Sequence, residues 1–139
     1  MEVSKECGIA QHKKNPYTPQ QNRVAERMNR SLMEKARSMF SDVGLGQEFW
    51  IVAIDIACYL KNRSPTSSLV DKTPHEVWSS KKPSIAHLKV FGCDAFMHVP
   101  KEKRRKLDNK SEKCIFVGYK DGIKGYKLWN HVTRKIVYS

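Results

Sequence analysis

The chain changes its hydrophobic rhythm once, near Pro83, and that change limits the folds open to it. Before it, apolar residues recur at helical spacing. After it, short runs of strand formers alternate with turns. Apart from "CGIAQ" (residues 7–11), which suits the end of a strand, helices come first and strands second, and this places the chain in the α+β class.

The first helix is expected to start near Gln20 or Gln21 and to stop at Gly44. Pro16 and Pro19 keep the lead-in extended, because proline fixes φ and disfavours helix in the residue before it. Gly44 supplies the left-handed position that ends a helix. On a wheel of about 100° per residue with Val24 at the origin, Ala25, Met28, Leu32, Ala36 and Met39 fall between roughly 40° and 120°. They form the expected core stripe. Arg23, Glu26, Arg30 and Arg37 fall between roughly 200° and 260°, with Arg27 nearby. A lone acid therefore sits in the middle of a basic face.

A second helix is expected over residues 47–62. It is apolar on most sides, which predicts burial between other elements, with Asp55 inside it. Lys61 and Arg63 suit its C-terminal dipole, and Pro65 ends it. A third, short helix is announced by "TPHEVW", where Thr73 caps, Pro74 takes the first helical position and Glu76 completes a capping box. Beyond Pro83, "HLKVFGCDAFMHV" (residues 87–99) reads as strand with a bulge or kink at Gly92. "KEKRRKLDNKSEK" (residues 101–113) has seven basic and three acidic residues and reads as an exposed loop. It suits a nuclear-import patch, a phosphate-binding loop or a solvated connector equally well. "CIFVGY", a turn at Lys120-Asp121-Gly122, "GYKLWN" and "RKIVYS" then predict a small β-barrel or meander. Phe116, Tyr119, Tyr126 and Trp129 are read as its core and not as a base-stacking platform.

Charge narrows the function. The chain has 26 Lys+Arg against 14 Asp+Glu, a net of +12. A field of that sign favours polyanions, and nucleic acid is the commonest of them. Cys7, Cys58, Cys93 and Cys114 form no C-x-x-C, and His12, His75, His87, His98 and His131 lack ligand spacing. This argues against a zinc site and a disulfide framework, and for free thiols in a reducing compartment. No secretory signal pattern is present, and the longest apolar stretch, residues 49–60, is too short to span a bilayer. An intracellular location, nucleus or cytoplasm, with no membrane partner is expected. There is no G-x-S-x-G and no phosphate-binding glycine loop, so neither a hydrolase triad nor a small-molecule substrate is expected.

"PYTPQQNRVAERMNRSLMEKARSMF" resembles the last catalytic segment of the integrases of copia-type (Pseudoviridae) retrotransposons. The resemblance continues in order through "FWIVAIDIACYLKNRSP", "TPHEVW", "HLKVFGC", "KCIFVGY" and "KGYKLWN". It implies that residues 1–66 are the C-terminal fragment of an RNase H-like integrase catalytic core with most of its sheet missing. It implies a connecting segment with a short helix over 67–86. Residues 87–139 would be an SH3-like β-rich domain lacking a final strand. The resemblance also makes Glu26 the third acid of an Asp-Asp-Glu site, the catalytic and metal-binding residue, and maps a DNA-contacting helix face onto Arg30 with Asn29 beside it. A hard cation such as Mg²⁺ needs carboxylate oxygens, and phosphates need cations nearby. Arg23, Arg27 and Arg37 on the helix, with Lys103, Arg104, Arg105 and Lys106 in the basic loop, complete the expected nucleic-acid surface. Without the resemblance, Glu26 reads as the partner of Arg30 in a helix ion pair worth about 0.3–0.5 kcal/mol.

Two departures matter. Arg23 stands where the family usually has Gly. The other two acids are absent: the second is expected upstream of Met1, Glu2 and Glu6 map to a helix of the core, and Asp55 lies within the second helix. No Mg²⁺ is therefore expected to bind tightly to this chain, although the intact family enzyme uses it. The expected function is that of a fragment of a retrotransposon integrase that binds DNA and is inactive alone, with the rest of an integrase or polyprotein as a further partner. The alternatives are a non-enzymatic protein-interaction module, or a decayed transposon remnant without selected function.

Overall fold

The structure, a computed structural model, describes residues 22–41, 43–120 and 125–139. The expected helix start at Gln20 or Gln21, Cys7, His12 and the Asp121-Gly122 turn lie outside the described residues. The chain divides into two compact units, Met1–Ser31 and Leu32–Ser139.

In the first unit the described residues open helix α1, which spans Arg23–Ser41. Here Val24 is 78% exposed, Met28 is 43% exposed, and Ala25 is exposed as well. The expected core stripe is thus corrected over its first half. The wheel identifies which face is apolar but not how far along the helix other elements reach. In the second unit the same stripe is used. Ala36 is fully buried, Met39 packs against the core, and Leu32 is half-buried. Gly44 takes φ +62, the left-handed position expected of it.

A 3-10 turn, Gln47–Phe49, runs into α2, Trp50–Asn62. Ala53, Ile56 and Ala57 are buried, while Ile51 is 70% exposed and Asp55 is exposed too. This corrects the expectation of a helix buried on most sides with Asp55 inside it. One layer, the sheet, covers α2, so only one stripe is needed. The small side chains of Ala53 and Ala57 let the helix lie close to that layer. Helix α3, Pro74–Ser79, begins as expected, with Thr73 Oγ1 accepting from the Glu76 N–H at 3.1 Å.

The sheet has four strands: β1 Asp94–His98, β2 Ser111–Tyr119, β3 Tyr126–Asn130 and β4 Lys135–Tyr138. Every neighbour is antiparallel and the order is β1-β2-β3-β4, so the strands form a meander. The β2–β3 register slips between Phe116 and Gly118, as at a β-bulge. The expected strand over residues 87–99 is shorter than predicted. Gly92 turns the chain at φ +79, its N–H donates to Phe116 O at 2.9 Å, and β1 begins only at Asp94. A Cβ on Gly92 would overlap the Val43 side chain, so the kink requires glycine twice over. The basic loop is also shorter than predicted. Ser111, Glu112 and Lys113 extend β2, because β1 offers them partners, and Lys113 Nζ meets Asp94 Oδ2 at 2.8 Å.

The core gathers Ala36, Phe49, Ile56, Phe91, Phe116 and Leu128, among others. Residues on both sides of positions 66 and 87 contribute to it. Phe116 and Tyr119 are buried and Tyr126 and Trp129 are half-buried against the core, as the strand pattern predicts. Burial of each such side chain contributes about 1.5–3 kcal/mol. Polar anchors fix the segment before β1: Tyr59 Oη lies 2.7 Å from His87 Nε2, and Tyr126 Oη donates to His87 O at 3.1 Å.

Candidate nucleic-acid interface

Arg23, Glu26, Arg27, Asn29 and Arg30 are all exposed in the first unit. Glu26 Oε1 accepts from Asn22 Nδ2 at 3.1 Å, one helical turn back. A pair of Mg²⁺ ions needs several carboxylates within reach of one point. Among the described residues no group of three or more His, Cys, Asp or Glu side chains converges, so Glu26 with its described neighbours does not make such a site.

The second unit holds the remaining candidates. Arg37 is exposed and lines a cleft of its own with Phe40, Gln47 and Trp50. The basic loop opens with a 3-10 turn, Lys101–Lys103. Arg104 is half-buried because its Nε donates to Val99 O at 3.2 Å. The Arg105 N–H donates to Asp108 Oδ2 at 2.7 Å, which closes the next turn and leaves the Arg105 side chain exposed beside Lys106.

The fold brings Lys103 and Arg104 together with Lys113, His131 and Thr133 around a cleft of about 480 Å³. Arg105 and Lys106 do not line it. Asn130, buried at the end of β3, organises the far wall. Its Oδ1 accepts from the N–H groups of Val132 and Thr133 at 2.9 and 3.1 Å, and its Nδ2 donates to Glu112 Oε2 at 2.7 Å. Both acids at this cleft are thus engaged internally, Asp108 by the loop and Glu112 by Asn130. Lys103 stands exposed at its rim. Sequence reasoning missed Lys113, Asn130 and His131. A signal for Asn130 was present, since Asn after a strand favours a side-chain-capped turn; its meeting with the loop depends on strand register.

Comparison with known proteins agrees with this architecture. The family model "Retroviral polymerase SH3-like domain" matches residues 93–139, which contain all four strands. The retrovirus-related Pol polyprotein from transposon TNT 1-94 of Nicotiana tabacum is 54% identical over 132 residues, 95% of this chain and 10% of that protein. The retrovirus-related Pol polyprotein from transposon RE2 of Arabidopsis thaliana is 34% identical over 112 residues, 81% of this chain and 8% of that protein. An uncharacterized mitochondrial protein of Arabidopsis thaliana is 34% identical over 85 residues, 61% of this chain and 71% of that protein. No solved structure matches the chain.

Residues 93–139 therefore carry a retroviral polymerase SH3-like domain. The chain belongs to the family of retrovirus-related Pol polyproteins of copia-type transposons. It spans about a tenth of the length of the polyproteins it matches. No helix among the described residues is long and apolar enough to cross a membrane.

Proposed function

We propose that the chain acts as a nucleic-acid-binding piece of the integrase region of such a polyprotein, and that it does not catalyse strand transfer unaided. The observation that carries this reading is the run of exposed cations on the basic loop, Lys103, Arg105 and Lys106, with the loop itself closed by the Arg105 backbone N–H donating to Asp108. Cations on a scaffold of short hydrogen bonds suit phosphate oxygens, which accept from Lys and Arg without regard to base sequence. The exposed arginines of α1 add a second basic surface, and the net charge of +12 draws polyanions to both.

Under this reading residues 1–66 derive from the integrase core, and Glu26 corresponds to the third acid of its metal site. Mg²⁺ would supply activation of the nucleophile and stabilisation of the leaving oxygen in an intact enzyme; among the described residues Glu26 belongs to no group of three or more potential metal ligands. DNA as partner places the site of action in the nucleus or in cytoplasmic assemblies. Binding of the purified chain to duplex DNA, compared with a chain carrying Lys103→Gln, Arg105→Gln and Lys106→Gln, tests the reading. A protein-interaction module is the second reading. It is favoured by Trp78, 73% exposed on α3 beside the exposed Val77, and it predicts DNA binding indifferent to these cations.

A further inference from the structure

An open cleft of about 460 Å³ lies between the end of α1 and the turn leading into α2. That lies within the range of about 300–1,000 Å³ typical of small-ligand sites. Four residues line it: Arg37, Phe40, Gln47 and Trp50. We propose that this cleft receives an unpaired nucleobase, with the adjoining phosphate on Arg37. The proposal rests on the nucleic-acid reading above and adds the class of nucleic acid, single-stranded or frayed.

Each lining residue has a chemical part. Phe40 and Trp50 are half-buried, and both pack against the hydrophobic core, so their rings are held while one part of each faces the cleft. Phe40 is further fixed by Phe91, with ring centroids 6.0 Å apart. Fixed aromatic rings offer a stacking surface to any base, since every base has a π face. Gln47 is exposed, and its amide carries both a donor and an acceptor, the pair needed to meet a base edge. Arg37 is exposed, and among the described residues no ion pair or hydrogen bond holds its guanidinium. It is free to take a phosphate in its planar fork.

Charge selects among occupants. An apolar protein side chain would cover the two rings but leave Arg37 without an anion. A nucleotide satisfies the rings, the amide and the guanidinium together, and it is drawn to a chain of net charge +12. Duplex DNA cannot use the cleft, because its bases are paired and stacked. The cleft therefore gives the chain a preference for single strands that the loop at Lys103 does not.

The test measures the affinities of the full chain for a single-stranded oligodeoxynucleotide and for its duplex at one salt concentration. A parallel experiment photo-crosslinks the same single strand carrying 5-iododeoxyuridine and maps the modified peptide. We expect the single strand to bind about tenfold more tightly than the duplex, the range that stacking of one base supplies. Arg37→Gln and Gln47→Leu should each bring the single-strand to duplex ratio down about threefold. Trp50→Leu should bring it near unity, and the crosslink should fall on Phe40 or Trp50. If Trp50→Leu unfolds, as read by circular dichroism, the two exposed substitutions carry the comparison. Equal affinity for both forms, or a ratio unmoved in Arg37→Gln and Gln47→Leu, overturns the base site but leaves phosphate binding by the loop intact. The absence of a crosslink at Phe40 or Trp50 also overturns it and points to a protein side chain as occupant. Failure to bind either form overturns this proposal and the nucleic-acid reading together.

Discussion

The ring of Tyr59 on α2 lies on the ring of Tyr119 on β2, centroids 4.3 Å apart and planes 19° from parallel. This stack joins the helix to the sheet. Tyr59 also reaches His87 through its hydroxyl, and the Arg63 guanidinium sits 3.5 Å from its ring centre. The fold of the second unit thus depends on a helix that the resemblance to integrases assigns to the fragment preceding the SH3-like segment.

Tyr59→Ala removes the stack, the hydroxyl contact and the cation–π contact at once. Unfolding in urea should show a loss of about 2–3 kcal/mol, below the range for fully buried aromatics because Tyr59 is half-buried. Tyr59→Phe should lose only about 1 kcal/mol, the hydroxyl contribution. A Tyr59→Ala chain within about 0.5 kcal/mol of wild type would show that α2 does not hold the sheet.

Two buried acids make stability fall at alkaline pH. Burial, and then the Glu112 carboxylate, push the Cys114 thiol above its ordinary value. Burial also pushes the Tyr119 phenol up, against a lowering hydrogen bond from the Lys89 backbone. Both groups are neutral when protonated, and in each the folded value lies above the unfolded one. Their contribution is fully present below the unfolded values, about 8.5 for a thiol and about 10 for a phenol, and is lost as pH rises past them. Melting temperature should therefore be flat near neutral pH and fall in two steps above about pH 8.5. Cys114→Ala should remove the first step. At pH near 8, alkylation should label the half-buried Cys58 and Cys93 before the buried Cys114. A melting temperature that climbs through this window would contradict the assignment.

How much of this was legible in the sequence depends on whether a feature is local. Gly44, Gly92 and the Thr73 cap answer to backbone requirements within a few residues, and their positions in the structure match the pattern. The exposure of Met28, Ile51 and Asp55 was not legible, because it depends on which elements stop short of a given turn. The same holds for the clefts. Asn130 meets Glu112 only through strand register, and Trp50 meets Arg37 only through the turn between the helices. Glu26 is the opposite case. Its meaning comes from a resemblance spread along the chain, while its own surroundings are one exposed helix turn.

Catalysis by the isolated chain should be absent. Incubated with Mg²⁺ or Mn²⁺ and transposon-end DNA, it should neither trim nor join strands, since among the described residues Glu26 belongs to no group of three or more potential metal ligands. Divalent-dependent strand transfer that Glu26→Gln abolishes would mean that other carboxylates complete the site.

The most direct measurement is the salt dependence of duplex binding by wild type and by the chain carrying Lys103→Gln, Arg105→Gln and Lys106→Gln. All three residues are exposed, so the fold should tolerate the changes. Each phosphate neutralised contributes about −0.9 to the slope of log affinity against log salt. The account predicts a steep wild-type slope that flattens by up to about three units in the variant. An identical slope in both would remove the basic loop as a phosphate-binding surface and contradict the account.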